Sequence, residues 1–286
     1  MPIPPLSRYT FGSMSLGRTP LNLPSDIAVA RAAMEAGVWF HSSPTYNNGF
    51  TFMVLRMAFD EARSQQPPLL VKIRDADPRV LKFEVEDALR RLGVERLELI
   101  QLVNETEGPG DIASGFLVRD ERWNLIQKFK KEGKIGAAVL YLSKAKPPSA
   151  LAALEASLFD GVIFYSNLFQ QDMTDALYDF VSQKKGLPAL ALRTVAGGLV
   201  ARDGTSPEEA KVAGKLERLR AIVRTSGCAD LVELSLRFGL SQPWVRTTIG
   251  GTRNLAHLRR FLDLASSPNP LPADTVKVIE NLRREV

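Results

Sequence analysis

Eight short β-type runs, each closed off by glycine, proline or a charged residue, alternate with amphipathic stretches along the whole chain. The pattern predicts strands over Phe11–Leu16, Val38–Ser42, Leu69–Arg74, Leu97–Val103, Gly136–Leu140, Gly161–Tyr165, Pro188–Arg193 and Val245–Ile249. A helix between consecutive strands carries the chain back along the sheet, so the strands must run parallel. Eight strand–helix units imply a (β/α)8 TIM barrel, and the 286 residues are enough to build one as a single domain over residues 1–286. An open doubly wound sheet shares the local pattern but usually places a GxGxxG turn after its first strand. Gly12-Ser13-Met14-Ser15-Leu16-Gly17 lacks that spacing, so the barrel is the expected fold. Two stretches exceed what a crossover needs. Ala201 to Cys228 reads as a loop-plus-helix insertion after strand seven, and Ser266–Val286 as a C-terminal helical tail.

Apolar residues at helical spacing mark the faces that would cover the barrel. These are Ile27, Ala30, Ala33 and Met34; Val80, Phe83, Val85, Ala88, Leu89 and Leu92; Trp123, Ile126 and Phe129; and Leu177, Phe180 and Val181. Ser25-Asp26, Asp77-Pro78 and Ser206-Pro207-Glu208-Glu209 read as helix N-termini. One cysteine, Cys228, excludes a disulfide framework, and the two histidines, His41 and His257, argue against a multi-histidine metal centre. The excess of 37 Lys and Arg over 32 Asp and Glu is dispersed, and its densest stretches, Lys128–Lys131 and Arg259-Arg260, fall in helical patterns as solvated faces. No nucleic-acid partner is therefore expected. With no signal peptide and no apolar run of the ~18 residues that a membrane span takes, a cytoplasmic protein acting on a small molecule is expected, while the oligomeric state stays open.

Several segments, in a common order, resemble the aldo-keto reductase family. Phe11-Gly12-Ser13-Met14-Ser15-Leu16-Gly17 is similar to its opening strand, Glu35-Ala36-Gly37-Val38 and Pro44-Thr45-Tyr46-Asn47-Asn48-Gly49 to its second strand and following loop, and Val71-Lys72 to its third. Leu99-Ile100-Gln101-Leu102 is similar to the strand before the family's histidine, Ala196-Gly197-Gly198-Leu199 to the loop after strand seven, and Ile249-Gly250-Gly251-Thr252-Arg253-Asn254 to the phosphate-binding turn. The resemblance implies an NADP(H)-dependent carbonyl reductase with an Asp, Tyr, Lys and His tetrad. Tyr46 and Lys72 match its tyrosine and lysine, whereas His41 stands at the aspartate position and Val103 at the histidine position. The family's Ser-Asn after strand five reads Tyr141-Leu142, its strand-six glutamine reads Ile163, and its adenine-side Glu-Asn pair reads Arg260-Phe261.

In a barrel the loops after the strands carry function, so His41, Tyr46, Lys72, Val103, Glu105, Tyr141 and Arg193 are expected around one mouth. A phenol with a reference pKa of ~10 is a poor proton donor at neutral pH unless a cation stabilises its phenolate, and Lys72 is the candidate cation for Tyr46. By strand periodicity Gln101, Val103 and Glu105 point to one side, which makes Glu105 a candidate replacement for the lost histidine. Catalysis is thus assigned to Tyr46, Lys72, His41 and Glu105, and the pocket wall to Val103 and Tyr141. NADP(H) binding is assigned to Arg193, Gly197, Gly198, Leu199, Gly251, Thr252 and Arg253, the two glycine segments cradling phosphates and Arg253 matching the family's 2′-phosphate ligand, and no metal is expected. Two other functions stay open. One is a non-redox lyase, dehydratase or isomerase using Tyr46, Lys72, His41 or Glu105. The other is a catalytically silent binding or regulatory protein.

Overall fold

The structure is a computed structural model that describes residues 3–62, 66–74, 77–103, 121–142, 147–170, 175–184, 186–201, 211–266 and 269–284. Eight parallel strands close into a barrel in chain order: β1 (Tyr9–Gly12), β2 (Trp39–Ser42), β3 (Leu69–Arg74), β4 (Leu97–Val103), β5 (Ile135–Tyr141), β6 (Gly161–Tyr165), β7 (Ala189–Leu192) and β8 (Val245–Gly250). The seam is made by β1 and β8, with Tyr9 opposite Thr248 and Phe11 opposite Gly250. Helices α1 (Leu23–Glu35), α2 (Phe50–Glu61) and α3 (Pro78–Leu92) follow the first three strands, and further helices follow the others.

Alternation along each strand separates two cores. Inward-facing Trp39, Leu70, Leu99, Ala137, Val139, Ile163, Leu190 and Ile249 fill the barrel, and Ile3 and Leu6 pack against them from the N-terminal segment. The Trp39 indole N–H donates to the Pro5 carbonyl at 3.1 Å, which ties that segment to the barrel floor. Outward-facing residues join the helix layer through edge-to-face rings, Phe11 on Phe40 at 5.2 Å and Phe40 on Phe59 at 6.1 Å. With its floor packed, the barrel is left to work at its opposite mouth, where the strands end.

The insertion and the tail are as expected in kind. Helix Ala213–Ser226 precedes the crossover helix Leu231–Leu240, and helix Ala273–Arg284 ends the described chain. Asp77 caps α3 by accepting from the Arg79 and Val80 N–H groups. Three expectations need correction. The first strand is Tyr9–Gly12, not Phe11–Leu16, because Ser13–Ser15 turns into a short 3-10 helix while the Ser13 hydroxyl bonds the His41 carbonyl and the Ser42 hydroxyl. Asp26 lies inside α1 and not before it: its fully buried carboxylate accepts from the Gly17 N–H at 2.8 Å and from Arg253 Nε at 3.2 Å, so tertiary partners claim it. Phe83 is 66% exposed, although it sits among residues that face the core. The Ser206–Glu209 helix start lies outside the described residues.

Candidate active site

The end of β2 brings His41 inward, where its Nε2 lies 2.9 Å from Gln101 Oε1 on β4. Register places Lys72 of β3 directly opposite Gln101. His41 is buried, and burial pushes its pKa down from 6.5 to about 4; the Gln101 bond partly offsets this, and the Lys72 ammonium adds to the lowering. The imidazole is therefore neutral at pH 7, with the proton on Nε2 facing Gln101 and a lone pair left on Nδ1. A histidine neutral in the native state but protonated when unfolded below pH 6.5 destabilises the fold as the pH falls from about 6.5 to about 4, and contributes nothing above that window. The shift corresponds to roughly 3 kcal/mol. Relative to His41→Gln, wild-type protein should lose stability by up to this amount in urea unfolding at about pH 4.5, and the two should converge near pH 7. Parallel curves at both pH values would contradict the neutral, buried imidazole.

Tyr46 follows β2 in a tight turn, Tyr46–Gly49, in which Asn47 and Asn48 adopt left-handed backbone conformations, with φ of 49° and 54°. Asparagine tolerates that region, and the Asn47 amide fixes the turn by donating to the Met14 and Leu16 carbonyls at 2.9 and 2.7 Å. The turn presents the Tyr46 ring edge-to-face to His41, 6.1 Å between centroids. Burial, followed by the neighbouring Tyr165 phenol, pushes the Tyr46 pKa upward. Burial thus sets the direction of the shift, upward, whatever the Lys72 charge contributes toward ionisation. In this site Tyr46 holds its proton at neutral pH, so it is an acid ready to donate.

The far wall is aromatic. Val103 and Tyr141 are buried at the ends of β4 and β5, and Tyr141 meets Tyr165 of β6 edge-to-face at 5.8 Å. The Arg193 guanidinium lies over the Tyr165 ring at 5.1 Å. Sequence reasoning did not single out Gln101 or Tyr165 for the site. The available signal was position: Gln101 lies two residues before Val103 and Tyr165 two residues after Ile163, each on the inward face. Glu105 lies outside the described residues.

The segments assigned to phosphates form the neighbouring rim. After β7, Ala196, Gly197 and Gly198 all have positive φ, 49°, 68° and 93°, which bends the chain into a concave loop that continues to Leu199. After β8, Gly251 presses on β1: a Cβ there would stand 2.3 Å from the Gly12 carbonyl oxygen. Thr252 Oγ1 accepts from the Asn254 N–H, and Asn254 Oδ1 caps helix Leu255–Ser266 through the Ala256 and His257 N–H groups. Arg253 is held by Asp26 through Nε. Arg260 and Phe261 turn to structural work, Arg260 bridging to Asp230 with two hydrogen bonds and Phe261 packing on Tyr9 at 5.7 Å. Among the described residues no group of three or more His, Cys, Asp or Glu is placed to hold a metal ion, and no helix is long and apolar enough to cross a membrane.

Comparison with known proteins matches the Aldo/keto reductase family over residues 8–284. No curated protein matches the chain. Among solved structures, the glycerol dehydrogenase of Gluconobacter oxydans superposes with a TM-score of 0.79, covering 99% of this chain and 94% of its own at 20% identity. An aldo-keto reductase from Klebsiella pneumoniae in complex with NADPH gives 0.76, with 98% and 92% covered at 17% identity. The holo form of an aldo-keto reductase from Bacillus halodurans gives 0.76, with 98% and 96% covered at 21% identity. At these identities the likeness to solved structures speaks for the fold, and it agrees with a family match that runs from the first strand to the last helix: the chain belongs to the aldo/keto reductase family of oxidoreductases.

Proposed function

We propose that this protein is an NADP(H)-dependent oxidoreductase that interconverts a small carbonyl compound and its alcohol at the C-terminal mouth of the barrel, with Tyr46 exchanging the proton. The observation that carries this reading is the cluster at the ends of β2 and β3, where a protonated phenol faces a neutral imidazole that in turn feels the Lys72 ammonium. The family match and the NADPH-bound neighbour from Klebsiella pneumoniae supply the cofactor class. The rim fits the cofactor's phosphates. Gly197, Gly198 and Leu199 would cradle them in the loop of positive φ, and Gly251, Thr252 and Arg253 would hold them at the turn leading into helix Leu255–Ser266. When bound, the nicotinamide supplies the hydride.

The chain's own residues do the rest. Tyr46 donates its proton to the carbonyl oxygen, and stabilisation of the oxyanion there lowers the barrier. Lys72 places a positive charge beside the cluster, which favours the phenolate that Tyr46 leaves behind. His41, held by Gln101, keeps a hydrogen-bonding ring against Tyr46 without adding a second cation. Val103 and Tyr141 are buried walls that keep water from the reacting carbon.

A second reading is a non-redox proton-transfer enzyme. It is favoured by the apolar, buried Leu142 and Ile163 at positions where the family's amides hold the carboxamide. One titration separates the two readings. The oxidoreductase reading expects saturable enhancement of NADPH fluorescence and a rise in melting temperature; saturation at about 100 Kd corresponds to roughly 2.7 kcal/mol of added stability. Neither signal changing would end it.

A further inference from the structure

Among the described residues, Lys72, Arg74, Arg193 and Arg253 are cations near or just past the strand ends that form the mouth. Two are neutralised by carboxylates of the surrounding helices, Arg74 by Glu84 and Arg253 by the fully buried Asp26. Arg193 is held differently. Among the described residues no carboxylate pairs with it; its guanidinium lies over the Tyr165 ring at 5.1 Å, and Gly197 leaves it room, since a Cβ there would stand 3.1 Å from Arg193 Nη2. A guanidinium stacked on a ring retains its in-plane N–H groups for a planar anion, and stacking limits the rotamer entropy lost when that anion binds.

The platform beneath it belongs to the reacting pocket. Tyr165 contacts Tyr141 edge-to-face at 5.8 Å, both lie with the barrel-interior residues, and Tyr165 is close enough to Tyr46 for the two phenols to oppose each other's ionisation. The Arg193 guanidinium is thus next to an aromatic pair that packs with the barrel interior. We propose that Arg193, its guanidinium over the Tyr165 ring, is the anchor for a substrate carboxylate, so that the substrates are carbonyl compounds carrying a carboxylate remote from the reacting carbon. The carbonyl half of this statement rests on the proposed oxidoreductase activity; the carboxylate half rests on the Arg193–Tyr165 geometry alone. It also moves Arg193 from the cofactor, its expected ligand, to the substrate.

Two pairs of probes that differ in charge and hardly in shape test it. Para-(hydroxymethyl)benzoate and para-(hydroxymethyl)benzamide are titrated calorimetrically into wild type, Arg193→Met and Arg193→Lys without cofactor. Turnover of para-carboxybenzaldehyde and para-carbamoylbenzaldehyde is followed with NADPH. Because Arg193 already adopts a φ of 58°, methionine or lysine places no new demand on the backbone, and an unchanged melting temperature verifies folding. Wild type should bind the acid at least about tenfold more tightly than the amide, a preference weakened by salt, lost in Arg193→Met and partly kept in Arg193→Lys. The NADPH dissociation constant should stay within about twofold. Equal binding of acid and amide by wild type, or a preference that survives Arg193→Met, would overturn the proposal. So would a large loss of NADPH affinity in Arg193→Met with the acid preference intact, which would return Arg193 to the cofactor. Selective acid binding with neither aldehyde reduced would support the anchor and count against the oxidoreductase reading alone.

Discussion

Tyr46→Phe should leave the fold and NADPH affinity unchanged and cut carbonyl reduction by about 10²- to 10⁴-fold, the range that general acid catalysis supplies. The substitution removes one hydroxyl and keeps the ring that packs edge-to-face on His41. Its effect should fall on kcat more than on KM, because the proton is transferred in the transition state. Since burial and Tyr165 raise the Tyr46 pKa, wild-type reduction should hold its rate through the alkaline range in which an ordinary phenol ionises. Lys72→Met tests the second member. Loss of the charge that steadies the departing phenolate should cost about tenfold or more in kcat, and it should raise the His41 pKa, because one cause of its lowering is gone. Histidine NMR titration reads that shift directly. A Tyr46→Phe enzyme as fast as wild type would remove Tyr46 from the chemistry.

The second large effect is structural and falls at the β1–β8 seam. Gly251→Ala would place a methyl group 2.3 Å from the Gly12 carbonyl oxygen, a backbone atom that can yield only by opening the strand pair next to it. Overpacking of this kind costs roughly 1–3 kcal/mol, and the displaced turn is the one assigned to phosphate binding. Gly251→Ala should therefore melt several degrees lower than wild type and bind NADPH at least about tenfold more weakly. Gly214→Ala is the control: a Cβ there meets nothing within 4 Å, in helix Ala213–Ser226, and alanine should be neutral or stabilising by about 0.5–1 kcal/mol. If the two variants melt alike, the seam is more compliant than its geometry implies.

The barrel was legible in the sequence because a parallel strand covered on both faces must be apolar on both. Leu97–Val103 and Gly161–Tyr165 stand out as compact runs between helical patterns, and both have the expected boundaries. The first strand was misplaced because Phe11 to Leu16 has strand-like composition, while the Ser13 hydroxyl makes bonds to β2 that no local pattern reveals. The same limit applies to the site. His41, Tyr46 and Lys72 are legible as residues on or after neighbouring strands, and the structure packs the Tyr46 ring on His41 and sets Lys72 opposite Gln101. Their electrostatics were not legible. The direction of the Tyr46 pKa depends on how deeply a four-residue turn buries the ring, and the His41 proton on a cross-strand bond to Gln101 that only register creates. Asp26 has the sequence signature of a local cap, because serine and aspartate near a helix start usually serve as one; its partners, Gly17 and Arg253, lie 9 and 227 residues away in the chain.

The most direct test of the central claim follows the hydrogen itself. Protein is mixed with a carbonyl substrate and NADPH deuterated at its transferable hydrogen, and the alcohol formed is weighed by mass spectrometry. The account predicts an alcohol carrying one deuterium on the former carbonyl carbon, formed by wild type and at least about a hundredfold more slowly by Tyr46→Phe. An unlabelled product, or NADPH that binds saturably and is never oxidised by any carbonyl compound, would contradict it.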